Sequence, residues 1–207
     1  MKKMISVVLF YGALWGILEA TLGYVLQFPF VPFFVSGLVM FPIAMVLLIS
    51  AYLKTGSKQS LVAIGVIAAS IKALNLISPM HYWRTVNPMV SIMIETLVVV
   101  GFVTIIVNKP WKQKAMAVTA ASISWRLLYM GYMGGQFVTT GFVHNHLSSS
   151  LAFVEFVLLQ GILSGGIALA LYYIIDFLKV RMHTFIPIQF TTASAMLVLA
   201  VVLTIYL

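Results

Sequence analysis

The stretch MVSIMIETLVVVGFVTIIV, residues 89–107, contains a single charged side chain, Glu95. As an α-helix rising about 1.5 Å per residue, it would extend about 28 Å, close to the roughly 30 Å hydrocarbon core of a bilayer. So long a run of apolar residues exceeds what a helix needs to bury one face in a water-soluble protein. The stretch therefore predicts a transmembrane helix.

The composition of the whole chain agrees with this segment. The 207 residues are 62% hydrophobic and 8% charged, with a mean hydropathy of +1.11. A soluble domain carries roughly 25% charged residues, so this chain lacks the charge to cover a surface facing water. Lipid is the solvent that fits. The absence of cysteine excludes disulfides, thiolate metal sites and thiol nucleophiles.

Seven apolar segments predict about seven transmembrane helices within a single domain, residues 1–207. Turn-forming residues separate the segments, such as Asn108-Lys109-Pro110 after the fourth and Gly134-Gly135 after the fifth. The predicted spans are Met4–Leu26, Phe30–Leu53, Ser60–Ile77, Met89–Val107, Ala115–Met133, Leu151–Leu178 and Phe185–Tyr206.

The basic residues predict how this bundle is oriented. They cluster before the first span and in every second connection, whereas the opposite side holds only Arg84. Lys and Arg accumulate on the cytoplasmic side of membrane proteins, so the net charge of +8 requires no nucleic-acid partner. We predict an all-α, polytopic transmembrane helix bundle in the cytoplasmic membrane, with a cytoplasmic N-terminus. The clusters are Lys2 and Lys3; Lys54 and Lys58; Lys109, Lys112 and Lys114; and Lys179 and Arg181.

Ionisable residues inside the predicted spans are candidates for function, because a charge in lipid costs several kcal/mol unless it faces protein or water. On this topology they fall in the outer half of the bilayer. Two interpretations remain open: a ligand cavity, or buried ion pairs that fix helix register. The residues are Glu19, Lys72, Glu95, Arg126 and Glu155.

Other polar and aromatic side chains share helix faces with these charges. Trp15 lies four residues before Glu19, Asn75 three after Lys72, and Tyr129 three after Arg126. The pattern predicts an outward-facing polar cavity with aromatic walls. In it Lys72 and Arg126 would bind a carboxylate or phosphate, and the glutamates would accept from amines or hydroxyls. The predicted ligand-binding residues are Glu19, Lys72, Asn75, Glu95, Arg126, Glu155, Trp15 and Tyr129.

The segment Gly135–Ser150 is too apolar for an ordinary loop and too short to span the membrane, which leaves an interfacial helix, a re-entrant segment or a lid. Its His144 and His146 are candidate metal ligands near Glu155. Two histidines at this spacing are a weak signal, and a hydrogen-bonded or interfacial role is the favoured interpretation. We predict neither a metal nor a cofactor.

Small residues recur every four positions in the first span, at Gly12, Gly16 and Ala20. Such a stripe lets membrane helices approach closely. It is typical either of packing within the chain or of docking to a partner subunit.

These features together resemble the substrate-binding S component of energy-coupling factor transporters. Members of that family are small, hydrophobic, basic bundles of about six helices that capture a vitamin or metal ion from outside and lack an ATP-binding motif. The resemblance implies a transmembrane coupling subunit and two ATPases as partners, with Gly12, Gly16 and Ala20 as the docking motif. Nickel and cobalt members begin with Met-His, whereas this chain begins Met1-Lys2-Lys3, which implies a water-soluble organic substrate.

Three functions were weighed on these observations. The favoured one is a small-molecule uptake protein that is not itself an enzyme. The alternative is a membrane-embedded enzyme that acts on a lipid-like substrate through intramembrane Glu and His residues, although no HExxH or GxSxG motif is present. A self-contained proton-coupled carrier ranks last, because such carriers place their site at the midplane between repeats.

Overall fold

The protein is a bundle of seven helices, and no strand occurs in the part of the chain described by the computed structural model, residues 2–26, 28, 35–77, 82–182 and 188–206. Three of the helices include short irregular or flanking turns. The helices are α1 (Lys2–Ala20, continued by Leu22–Val25), α2 (Val35–Thr55), α3 (Lys58–Ala73, followed by the 3-10 turn Leu74–Ile77), α4 (Trp83–Asn108), α5 (Trp111–Thr140), α6 (Ser150–Val154, the π-helical turn Glu155–Leu159 and Gln160–Met182) and α7 (Phe190–Tyr206).

Helices α1, α2, α3, α4 and α6 are long and apolar enough to cross a membrane. Helix α7 is apolar but has 17 residues, and α5 is long, with 30 residues, but less apolar. The lower hydropathy of α5 has a local cause, because polar side chains such as Ser122, Arg126 and Gln136 are buried inside the bundle. The predicted helix bundle is confirmed, and five of the predicted seven spans are helices long and apolar enough for a multi-pass membrane protein.

Helices that follow one another in the chain alternate in direction. Tight turns at Gly56-Ser57 and Lys109-Pro110 reverse the chain between α2 and α3 and between α4 and α5. Helices α1 and α3 run parallel, since Gly12 contacts Ile67 and Gly16 contacts Ile71. The N-terminus and the two lysine-bearing turns therefore lie at one end of the bundle. The positive-inside rule predicts that this end faces the cytoplasm.

Helix α7 lies at the edge of the bundle, against α1 and α3. Ala200 of α7 packs with Ala13 of α1 and Ile71 of α3 in a small apolar cluster that is separate from the main core. The main core takes side chains from α1 to α6 and includes Phe41 and Ile64, both fully buried. Helices α1 to α6 thus form the central part of the fold, and α7 covers the outside of α1.

The predicted end of the fifth span at Met133 was wrong. Helix α5 continues through Gly134-Gly135 to Thr140 and ends at Gly141, whose φ of 72° is left-handed and whose N–H donates to the Phe137 carbonyl at 2.8 Å. Glycine is tolerated inside membrane helices, because lipid offers the backbone no alternative hydrogen-bond partner. The segment Gly135–Ser150 is therefore the end of a helix followed by a short loop, residues 141–149.

The predicted start of the fourth span at Met89 was also wrong, because α4 begins at Trp83 and contains Pro88. Proline removes one backbone hydrogen bond, and this close to the helix start the loss is tolerated. The predicted starts of the second span, Phe30, and of the seventh, Phe185, lie outside the described residues.

The contact between α3 and α4 is closest at Gly65, and this closeness yields a prediction. A Cβ atom added there would overlap the Thr96 side chain, whose hydroxyl is held by a 2.7 Å hydrogen bond to the Ile92 carbonyl. We expect Gly65→Ala to lower the free energy of unfolding by about 1–3 kcal/mol, because the two helices must separate. Denaturation with SDS in mixed micelles measures this change.

Gly101→Ala is the matched control for this substitution. Gly101 lies in α4, and an added Cβ would meet no atom within 4 Å, so we expect its stability to be unchanged or slightly increased. Equal losses from the two substitutions would show that close packing at Gly65 does not stabilise the fold.

Candidate functional site

A cavity of about 180 Å³ lies between α1, α2, α4, α5 and α6, at the end of the bundle opposite the N-terminus. For comparison, an apolar cavity of roughly 150 Å³ is large enough to hold benzene. The lining combines two carboxylates, aromatic rings and small residues that leave space. It consists of Glu19, Gly23, Ser36, Gly37, Met40, Pro88, Ser91, Glu95, Trp125, Tyr129, Met133, His146 and Phe156.

Two buried carboxylates form the acidic wall of the cavity. Glu95 of α4 accepts a hydrogen bond from Ser91, one turn earlier, at 2.9 Å. Glu19 of α1 interacts electrostatically with the buried Lys72 of α3. Gly23 leaves room for the Glu19 carboxylate, because a Cβ at this position would lie 3.0 Å from Glu19 Oε2. The two acidic side chains are near enough to interact electrostatically, so a positively charged group bound beside them would stabilise their ionised forms.

Aromatic rings form another part of the cavity lining. Trp125 of α5 stacks on Phe41 with a centroid separation of 5.7 Å and meets the edge of Phe156 at 6.0 Å. Tyr129 lies one turn further along α5, 6.0 Å from Trp125. The His146 ring stacks on Phe156 at 4.0 Å, so the 141–149 loop contributes to the cavity wall. The Trp125 Nε1–H is buried and has no hydrogen-bond acceptor among the described residues.

Arg126 lies directly behind the aromatic wall and is fully buried. Its Nη1 donates to the Ser122 carbonyl at 3.0 Å and hydroxyl at 2.9 Å, and its Nη2 donates to the Gly37 carbonyl at 3.0 Å. The guanidinium also lies 4.6 Å from the Trp125 ring centre. It therefore joins α5 to α2 and fixes Trp125 from behind, while its Nε has no hydrogen-bond partner within the described structure.

A hydrogen-bond network attaches the loop to the helices at this end of the bundle. Gln136 Nε2 donates to Asn87 Oδ1 at 2.8 Å and lies 2.7 Å from the Tyr132 hydroxyl, which itself donates to Asn87 Oδ1 at 3.0 Å. This arrangement turns Gln136 Oε1 towards His144 Nε2, 2.8 Å away. His144 must therefore carry its proton on Nε2 to donate this hydrogen bond.

The structure brings some of the predicted ligand-binding residues together and separates others. Glu19, Glu95 and Tyr129 line the cavity. Lys72, Arg126, Asn75 and Trp15 are buried outside the lining, and the Trp15 indole N–H points towards Glu19 without reaching hydrogen-bond geometry. Glu155 is exposed and lies away from the cavity, because the face of α6 that enters the bundle carries Phe156, Val157 and Gln160.

The small-residue stripe of α1 is used inside the chain. A Cβ on Gly12 would lie 2.8 Å from Ile67, and one on Gly16 would lie 2.6 Å from Ile71, both on α3. Ala20 is buried as well. The sequence left two roles open for this stripe, packing within the chain and docking to a partner subunit. In the structure the stripe packs within the chain and presents no free surface for a partner.

The histidines contact protein groups. His144 bonds Gln136 and His146 stacks on Phe156, and no group of three or more His, Asp or Glu side chains in the described ranges is arranged to hold a metal ion.

The sequence-based site omitted several lining residues: Gly37, Met40, Ser91, Trp125, Met133, His146 and Phe156. One of them had a usable signal, because Ser91 lies four residues before Glu95 and so shares its helix face. The apolar ones gave none, since side chains that face lipid and side chains that face a cavity are equally apolar in a membrane helix.

Comparisons of this chain with protein-family models, with curated proteins and with solved structures found no match. The site therefore has to be interpreted from its own geometry.

The bridge made by Arg126 gives the first prediction about the site. Lysine keeps the charge but cannot bond Ser122 and the Gly37 carbonyl at once with the same geometry. We expect Arg126→Lys to lower the free energy of unfolding by about 1–3 kcal/mol, measured by SDS titration. Arg84→Lys is the control, since Arg84 is exposed. Similar stability of the two variants would contradict the bridging role.

The environment of His146 gives the second prediction about the site. Burial, followed by the positive charges of His144 and Arg126, lowers the pKa of His146 from its usual 6.5 to about 4. We expect its ring resonances in a ¹³C NMR titration to keep their neutral positions until the pH falls well below 6, with His146→Gln used for assignment. An unfolded chain would bind this proton near pH 6.5, so this residue lowers the stability of the fold as the pH drops from 6.5 towards 4. A pKa near 6.5 would contradict the stacked, half-buried placement.

Proposed function

We propose that this protein is a small-molecule uptake protein of the cytoplasmic membrane, which binds a water-soluble substrate in the cavity at its outer end. The observation that carries the proposal is the cavity itself. Two carboxylates, Glu19 and Glu95, line one open space together with the aromatic rings of Trp125, Tyr129 and Phe156. They do so at the end of the bundle opposite the lysine-bearing turns.

A purely structural role for these carboxylates explains the arrangement less well. A structural ion pair needs its partners in contact and gains nothing from an adjoining cavity. Here Glu95 bonds Ser91 and lines open space, and Trp125 presents an indole N–H without an acceptor. A buried polar group without a partner, on a residue that lines a cavity, is typical of a binding site whose ligand completes its hydrogen bonds.

We further propose that the protein is the substrate-capture subunit of a transporter of the energy-coupling factor type. The resemblance in size, hydrophobicity and basic charge supports this, as does the division into six central helices and a peripheral α7. The sequence has no Walker motif, so uptake driven by ATP needs ATPase partners. Because α3 covers Gly12 and Gly16, a coupling subunit would contact a different, lipid-exposed face of the bundle.

Native mass spectrometry of the protein, purified gently from its own host, tests the proposal. We expect a retained small metabolite, and Glu95→Gln should lower its occupancy at least about tenfold by removing a charged acceptor. Glu155→Gln is the matched control, because this carboxylate is exposed and outside the cavity.

The outcomes separate the candidate functions. Co-purified ATPases together with a metabolite would support the capture-subunit proposal, and a metabolite without ATPases would support uptake by another mechanism. A protein that retains only lipid and chemically converts it would refute uptake and favour the enzyme alternative.

A further inference from the structure

The charges that line the cavity indicate what kind of ligand it accepts. The ionisable lining residues besides Tyr129 and His146 are Glu19 and Glu95, and no Lys or Arg belongs to the described lining. Both carboxylates are at least nine-tenths buried, with exposed fractions of 7% and 4%. An anion bound here would lie against two acidic side chains with no Lys or Arg in the lining, in a site where water screens little.

The nearby cations, Arg126 and Lys72, already interact with other groups of the protein. Arg126 gives its Nη hydrogens to Ser122 and to the Gly37 carbonyl, and Lys72 is buried on α3 beside Glu19. Their charges lower the cost of burying the carboxylates. The unpartnered Arg126 Nε–H belongs to a side chain outside the lining. Donors on that side chain do not outweigh two carboxylates in the lining itself.

The aromatic part of the lining is suited to a positively charged ligand. Trp125, Tyr129 and Phe156 present aromatic rings to the cavity, and ring faces attract cations, most strongly when water is excluded. Met40 and Met133 add polarisable apolar surface. The volume of about 180 Å³ limits the occupant to roughly the size of one ring with a short substituent.

From this juxtaposition of Glu19 and Glu95 with the Trp125, Tyr129 and Phe156 rings, we infer that the substrate is a compact organic cation. Its ammonium or quaternary nitrogen lies against the carboxylates, and its apolar body lies along the rings. The inference rests on the proposed uptake function and specifies the ligand of the same cavity.

A set of probes matched in shape tests the charge preference. Benzylammonium, benzyl alcohol and benzoate share a ring-sized body and differ in charge, and binding of each to the purified full-length protein in nanodiscs is measured by isothermal titration calorimetry. We expect benzylammonium to bind at least about tenfold more tightly than either of the others. Benzoate binding as tightly as benzylammonium would overturn the inference.

Variants test whether the wall residues cause the preference. In Glu95→Gln the advantage of benzylammonium over benzyl alcohol should fall to within about threefold, whereas Glu155→Gln should retain it. Should Glu95→Gln fail to fold, Glu19→Gln tests the same wall. A preference that survives both wall substitutions would contradict the assignment.

The charge of a metabolite retained from the host separates the failure of this inference from failure of the proposed function. An anionic or neutral metabolite would refute the cationic class and leave uptake standing, and a cationic one would support both. If no probe binds and no metabolite is retained, both proposals fail.

Discussion

The hydrogen bonds of the Arg126 guanidinium are the interaction on which the site depends. In hydrocarbon a cation must find its acceptors within the protein, and Arg126 finds them on its own helix at Ser122 and on α2 at the Gly37 carbonyl. That pair of contacts sets the distance between α5 and α2 and places the Trp125 ring, on which the guanidinium lies. Once Trp125 is fixed against Phe41, the aromatic wall of the cavity is defined.

The need of a buried charge for a partner within the protein also accounts for the surroundings of Glu19 and Glu95. Glu19 has Lys72 as an electrostatic partner, and Glu95 has Ser91 as a hydrogen-bond donor and Arg126 as a more distant counter-charge. The two cations therefore hold the two carboxylates in the membrane without occupying the cavity. The functional interpretation follows from this division of roles. The cations interact with protein groups, whereas the carboxylates and the aromatic rings line the open space.

Much of the architecture could be predicted from hydropathy and charge alone, because a membrane helix needs a minimum apolar length and lysines collect on one side. The errors came at helix ends. Gly134-Gly135 and Pro88 are strong turn signals in water. Here the two glycines keep helical hydrogen bonds and α5 runs on to Gly141, and α4 begins at Trp83 because it tolerates, near its start, the one hydrogen bond that Pro88 lacks. A residue's preference for turns is weak evidence where the solvent offers no competing hydrogen bonds.

By itself the sequence determined that the chain forms several apolar helices long enough to span a membrane. It predicted that Glu19, Glu95 and Tyr129 line one cavity, because charges in lipid are too costly to place without a use. Only the tertiary structure decided which other residues face the cavity. Glu155 turned outward and Phe156 inward, a difference that the sequence hides because both faces of a membrane helix are apolar. Likewise, only the structure showed that the stripe at Gly12 and Gly16 packs against α3. Close approach between two helices depends on both of them and cannot be predicted from one alone.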